Sequence, residues 1–395
     1  MVTTFYPPYH FGGDAVYVYR LSNKLAELGH EVDVIHCRDA FNILSGQPGT
    51  PLPNHKNIRI HTLGSRAKSQ SPLLTQQTGR MVLKKKRIER ILEQGNFDVI
   101  HYHNVSLVGG LDVLAVGHGV KLFTVHEFWL VCPTHILFKN ASHVCKNPEC
   151  FRCQLIYRRP PQFWRNKSFV RKMLNHIDRF LVASEFAVDM HRERGVELNA
   201  EILPLFTAWP EAETARDDLL PLGLVDYFLF VGRLEKLKGL QDVIPLFVDA
   251  PELNLVIAGT GAYEPLLRQL AATSANIHFL GMLPMTDLKN LYRGALATII
   301  PSLCYEISPQ VLGESWSCGT PIIARKIGAL EEPCRETHRA GAAASRHWNR
   351  VDAVETGFVP GDTVARRWGP LYPSPCDEIR VGRESRRCSS RTRLY

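Results

Sequence analysis

No stretch of this 395-residue chain strings together the ~20 apolar residues that a membrane-spanning helix requires. The start, MVTTFYPPYH, lacks a basic segment followed by an apolar one, which argues against a secretion signal. A cytoplasmic protein is expected on that ground. The ten cysteines then read as thiols or metal ligands, since a reducing compartment does not sustain a disulfide framework. Lysine is absent from residues 333–395, which hold twelve arginines, one isoleucine and a net charge of +5 out of the chain's +8. The other residues are therefore only mildly basic, and no nucleic-acid partner is expected. The lysine-free end shows no sustained period of 3.6 or 2 and resembles a different reading frame. Too few apolar positions recur in it to offset the ~1–2 kcal/mol per residue that ordering costs, so disorder is expected there, with no helix returning to the first domain.

What is present is the composition of a soluble globular protein, 45% apolar and 22% charged, long enough for two domains. Residues 1–332 alternate strand and helix patterns, which predicts α/β layers around parallel sheets. In the first half, VTTFY (2–6), VDVIH (32–36), FDVIHYH (97–103), LFTVHE (122–127) and RFLVAS (179–184) suit buried strands. The helical pattern at 14–30 ends at Gly29. A second set follows at YFLFVGR (227–233), NLVIAG (254–259), NIHFLG (276–281), ATIIPS (297–302) and PIIAR (321–325). Between the sets, PLFTAWPEAETARDDLLPLG (204–223) has three prolines and a run of charge, as a linker would. The expected domains are 1–205 and 225–332, joined by 206–224 and followed by the atypical tail 333–395. Two doubly wound sheets leave a cleft between them, and such sheets bind ligands beyond the carboxyl ends of their strands.

The polar motifs fall at those ends. Gly12 and Gly13 lie between the first strand and first helix, either as a plain tight turn or as a place for close approach to an anion. VGRLEKLKG sets Arg233 after a strand and Lys238 before a helix, a seat for a diphosphate, with Glu235 and Lys236 left to solvent. His126, at the end of its strand, is a hydrogen-bonded spacer or a reacting group. In CYEISPQVLGESWSCGTP, Glu306 follows ATIIPS and Pro309 is placed to begin a helix carrying Glu314. Unpaired buried carboxylates are costly, whereas a carboxylate facing a cleft can accept both hydrogens of a vicinal diol. A nucleotide sugar offers one diol on its ribose and another on its hexose.

With these residues the chain resembles the family 4 retaining glycosyltransferases, which have the two-domain glycosyltransferase B fold. The resemblance runs from about residue 2 to Glu332. YPPYHFGGDAVYVYRLSNKLAELGHEV, DVIHYHN, TVHEFW, VASEF, FVGRLEKLKG, VIAGTG and the Glu-x7-Glu segment continuing into SCGTPIIARKIGALEE carry it together. It implies that Glu314 holds the ribose, Glu306 the transferred sugar, and Arg233 and Lys238 the leaving diphosphate. It further implies that Gly12 and Gly13 line the junction of donor and acceptor, and that His126 contacts the donor sugar near the reacting carbon. Backbone N–H groups of Ser308, Pro309, Gln310 and Val311 (proline supplying only its carbonyl) would form the sugar-facing stretch. Nothing resembles an Asp-x-Asp site, so no catalytic metal is expected. The donor is expected to be a UDP- or GDP-sugar, and the acceptor a glycan, a lipid-linked compound or a small molecule.

Two features stand outside that set. Cys132, Cys145, Cys150 and Cys153 fall within 22 residues, a donor set for structural zinc, for which His135 and His143 could substitute; reduced thiols in a loop are the alternative. KKKR (84–87) and RRPPQFWRNKSFVRKML (158–174) are either solvated helix faces or contacts to an anionic membrane surface or lipid phosphate. After GALEE the family would continue with a glycine-rich turn and a helix crossing back to the first domain. Its apparent loss raises the alternative of a non-catalytic nucleotide-sugar-binding remnant.

Overall fold

A computed structural model describes residues 1–332, apart from Phe11, Ser45, Gly46, Thr50, Ala208, 210–219, 221–223 and Thr273. Most of the expected linker and all of the lysine-free tail lie outside the described residues. Among the described residues no helix is long and apolar enough to cross a membrane.

The first unit is built on parallel strands β1 (Val32–Cys37), β2 (Ile58–Leu63), β3 (Val99–Tyr102) and β4 (Val120–Val125). A small antiparallel pair, β5 (Phe138–Lys139) and β6 (His143–Val144), interrupts the series before β7 (Arg179–Val182) and β8 (Ala200–Ile202). The pattern VTTFY forms less strand than expected. Val2 bridges Ile35 on one side and Tyr102 on the other, and Tyr6 bridges only Tyr9 in its own turn, while the Thr3 and Thr4 backbones bond to Ile35, Cys37 and Asn104. That short segment still joins β1–β2 to the β3–β4–β7–β8 sheet. Pro7 and Pro8 have no N–H to extend the ladder.

The second unit is a five-stranded parallel sheet. Its strands are β9 (Tyr227–Val231), β10 (Asn254–Ala258), β11 (Ile277–Gly281), β12 (Ala295–Ile300) and β13 (Ile322–Ala324), in the order β11-β10-β9-β12-β13. Near-continuous apolar runs form the central strands because helices cover both faces; Leu229, Leu255, Val256 and Ile257 are fully buried. Chain order reverses direction between β9 and β12, which makes the crevice above that pair the binding position of such a sheet. This is the doubly wound α/β architecture that the alternating pattern predicts.

The two units touch through polar groups and through a few apolar ones. Arg20, on the helix Gly13–Glu27, meets Glu314, on the helix Gln310–Ser317, at 3.3 Å. Gln310 accepts from Arg20 at 3.2 Å and donates to the Gly13 carbonyl at 2.8 Å. Glu332 accepts from the backbone N–H groups of Glu185 and Phe186, at the start of the helix Glu185–Glu193, where an anion is favoured. The Phe186 and Tyr305 rings pack 4.9 Å apart beside it.

Candidate active site

The crevice above β9 and β12 opens into one cavity of about 700 Å³ that faces the first unit, within the range usual for small-molecule sites. Arg233 and Lys238 reach it from the turn after β9, and Glu306 from the loop after β12. Gly239 fixes that turn: its φ is +75°, and a Cβ would lie 2.0 Å from the Pro301 carbonyl oxygen. Gly12, Gly13 and His126 line the opposite wall, and Ser308, Pro309, Gln310 and Val311 the rim. Gly12 has φ +88°, a conformation that side chains disfavour.

The cations do not stand free. Lys238 Nζ donates to Glu306 Oε1 at 2.7 Å, and Ser302 Oγ donates to the same oxygen at 2.8 Å. Burial works against the Lys238 charge, but the Glu306 carboxylate and its hydrogen bond outweigh it, so the lysine pKa is raised. Arg233 pairs with Glu235 at 2.6 Å, an ion pair that stays open to solvent; Glu235 is solvated as expected and also holds the arginine.

His126 is half-buried, and loss of solvent around the ring lowers its pKa to about 4. It is a neutral ring at neutral pH. Its Nε2 shares a hydrogen with His103 Nδ1 at 3.0 Å, the His103 ring stacks on it at 5.3 Å, and the Tyr17 ring lies edge-on at 5.2 Å. A neutral imidazole can donate or accept a hydrogen bond to a sugar hydroxyl without supplying charge.

Glu314 is placed differently from the expectation. It is buried and does not line the cavity; Arg20 holds Oε1 at 3.3 and 3.5 Å, and Tyr292 donates to Oε2 at 3.0 Å. The helix starting at Gln310 turns this side chain toward the first unit and away from the crevice. The sequence reading also missed Asp14 and Asn104, which line the cavity. Asn104 donates to Asp14 at 3.3 Å. Burial first, and then the neighbouring Glu127 charge, raise the Asp14 pKa to about 6. An acid directly after the Gly12–Gly13 pair was the available signal. Arg20 gave none.

Cys132, Cys145, Cys150 and Cys153 are free thiols that line one small cavity. Cys132, Cys145 and Cys153 are buried and Cys150 is exposed. Among the described residues, however, no three His, Cys, Asp or Glu side chains are arranged to hold a metal ion. The histidine substitutes point elsewhere: His135 bonds Glu127 at 2.8 Å and His143 bonds Ser142.

Comparison with known proteins places this geometry. The Glycosyltransferase Family 4 profile matches residues 11–205, and the Glycosyl transferases group 1 profile matches residues 213–352. The second match continues past Glu332, into the lysine-free segment. An uncharacterised glycosyltransferase of Methanocaldococcus jannaschii is 26% identical over 84% of this chain and 81% of its own length. A D-inositol 3-phosphate glycosyltransferase of Pseudarthrobacter chlorophenolicus is 26% identical over 94% of this chain and 84% of its own. Among solved structures, Anabaena HepE in complex with UDP superimposes with a TM-score of 0.53 at 15% identity, covering 84% of this chain and 82% of that one. Two profiles in sequence over two facing α/β units leave one conclusion: the chain belongs to the group 1, family 4 glycosyltransferases, with the glycosyltransferase B fold.

Proposed function

We propose that this glycosyltransferase moves a hexosyl group from a nucleoside diphosphate sugar to an acceptor with retention of anomeric configuration. One observation carries the reading: Arg233, Lys238 and Glu306 come from the carboxyl ends of the two strands at the switch point, and they share a cavity with Gly12, Gly13 and His126. UDP in the Anabaena structure supports a nucleotide donor, with UDP or GDP as the candidates.

In this scheme the diphosphate lies over the turn bearing Arg233 and Lys238. Breaking the anomeric bond leaves negative charge on its oxygen, and fixed cations stabilise that charge as it forms. Glu306 accepts hydrogen bonds from hydroxyls of the transferred sugar. The neutral His126 contacts the sugar beside the reacting carbon, and the leaving phosphate oxygen takes the acceptor's proton. Glu314 can serve the ribose only by exchange, and its long bonds to Arg20 suit a donor that replaces the guanidinium with a diol. For the four thiols we propose a structural zinc site that closes when the sulfurs draw together; tetrathiolate coordination is common for that ion.

The test is donor turnover by purified protein, wild type against Glu306→Ala, with the anomeric configuration of the product read by NMR. Loss of turnover in the variant and a retained configuration are expected. Equal turnover in both proteins, or an inverted product, would sink the assignment.

A further inference from the structure

The cavity is also lined by Leu73, Gln76, Arg158, Arg159 and Pro160, and the exposure of Leu73, Arg158 and Pro160 makes this stretch of its wall a mouth to solvent. Beyond that mouth lies a surface that folding leaves uncovered. Phe163 is 82% exposed, Phe151 58% and Leu155 52%, with Ile156 and Leu73 exposed as well. Phe151 and Leu155 are four apart on the helix Cys150–Ile156, so they share a face. The Phe151 and Phe163 rings lie 6.5 Å apart. Trp164 Nε1 donates to the Gln76 carbonyl at 2.8 Å and Gln77 donates to that of Pro160 at 3.4 Å. These bonds fasten the Phe163 segment to the helix Gln70–Thr78, which carries Leu73. The apolar groups are therefore neighbours of one another and of the cavity mouth.

The charge around them has one sign. Between Lys146 and Lys172 the sequence has eight cationic residues and one acid, Glu149, and Lys139 occupies that acid at 2.6 Å. Arg152 and Arg158 are exposed beside the aromatic rings. A basic margin around protruding Phe and Leu side chains is complementary to an anionic lipid surface: headgroups meet the cations while the rings enter the acyl boundary. A water-soluble acceptor would need the cavity but not this face.

We propose that the surface formed by Phe151, Leu155, Ile156, Phe163 and their basic margin docks the protein on an anionic bilayer, so that the Arg158–Arg159 mouth receives a lipid-borne acceptor. The proposal rests on the transferase reading only for what the cleft receives; the docking itself can be tested alone. The full chain is sedimented with vesicles of phosphatidylcholine containing phosphatidylglycerol, and with phosphatidylcholine alone. Neither Phe163 nor Leu155 lines the donor cavity, so the Phe163→Glu and Leu155→Glu variants leave the donor site intact. Binding to the anionic vesicles is expected to exceed binding to the neutral ones at least tenfold. It should fall at least tenfold in each variant, with UDP affinity and thermal unfolding unchanged. Wild-type protein that binds UDP yet ignores anionic vesicles overturns the proposal, as does equal binding by both variants. A dimer in light scattering that Phe163→Glu converts to monomer, without vesicle binding, would assign the face to a second copy and overturn it too. Loss of donor hydrolysis with vesicle binding intact would instead count against the transferase reading.

Discussion

The Lys238–Glu306 pair makes a prediction in which two ligands respond in opposite directions. In the free protein the lysine charge is engaged by a carboxylate 2.7 Å away, and a diphosphate must compete for it. The pair is partly buried, with side-chain exposures of 27% and 16%, so screening is incomplete. A charge-assisted hydrogen bond of this kind contributes about 1.5–3 kcal/mol net. Glu306→Gln keeps the size and an acceptor oxygen for Ser302 but removes the charge. If about 1–1.5 kcal/mol of the competition disappears, UDP or GDP should bind roughly 5–10-fold more tightly, at 1.4 kcal/mol per tenfold. The same variant loses the charged acceptor for the sugar hydroxyls, so turnover of the intact donor should fall about 10–100-fold. Lys238→Ala should weaken both. Calorimetry with the nucleoside diphosphate and initial rates with the nucleotide sugar measure the two arms. Weaker diphosphate binding in Glu306→Gln, comparable to Lys238→Ala, would refute the idea that the carboxylate competes for the lysine.

Arg20→Met and Glu314→Gln, alone and combined, should show a coupling of about 1–3 kcal/mol in chemical denaturation, because each single change strands a buried partner; additivity within about 0.5 kcal/mol would remove the pair as a bond between the units. Burial lowers His36, His126 and His191 to about 4 and His101 to about 3, so between pH 6.5 and those values the unfolded chain binds more protons. Stability should therefore fall as pH drops through that window, by up to about 1.4 kcal/mol per unit per group. Asp14 and Asp112, both raised from 3.8 to about 6, act oppositely between those values, yet the four histidines outnumber them, and a flat urea midpoint from pH 7 to 5 would contradict the assignment. Protein prepared without chelator should carry about one zinc per chain by elemental analysis; none, with all four loop thiols titratable, would leave an ordinary thiol cluster.

The strands of the second sheet were legible because a parallel sheet covered on both faces leaves continuous apolar runs, such as YFLFV and NLVIA. β2 was not. Its sequence IRIHTL alternates apolar residues with Arg59 and His61, and it lies at the edge of the sheet, where half its surface meets water. Arg233, Lys238 and Glu306 could be found for a topological reason. Each lies in the turn or loop that follows a strand, so local sequence alone carries it to the crevice. The partners of those residues were harder to see. Glu235 is open to solvent, as its place in a charged loop implies, yet from two residues away it also closes a short ion pair with Arg233.

The two glutamates of the Glu-x7-Glu segment show where local reasoning stops. Both lie beside the same apolar run, and both were expected to face a diol. Glu306 sits in a loop, free of helical geometry, and meets a cation from the turn that follows the adjacent strand of its own sheet. Glu314 sits in the helix that Pro309 begins, and the helix fixes its direction. That direction leads out of its own unit to Arg20, 294 residues earlier in the chain. Nothing near Glu314 in sequence signals that partner, and Arg20 itself reads as one more polar residue on an amphipathic helix. The burial of Glu314 therefore depends on closure of the two units. Should closure relax, its carboxylate keeps only the Tyr292 hydroxyl, and a ribose diol then offers the two donors that Arg20 has withdrawn. The acid at the helical end of the segment is thus tied to the conformational state of the protein, while the acid in the loop is tied to the chemistry of the crevice.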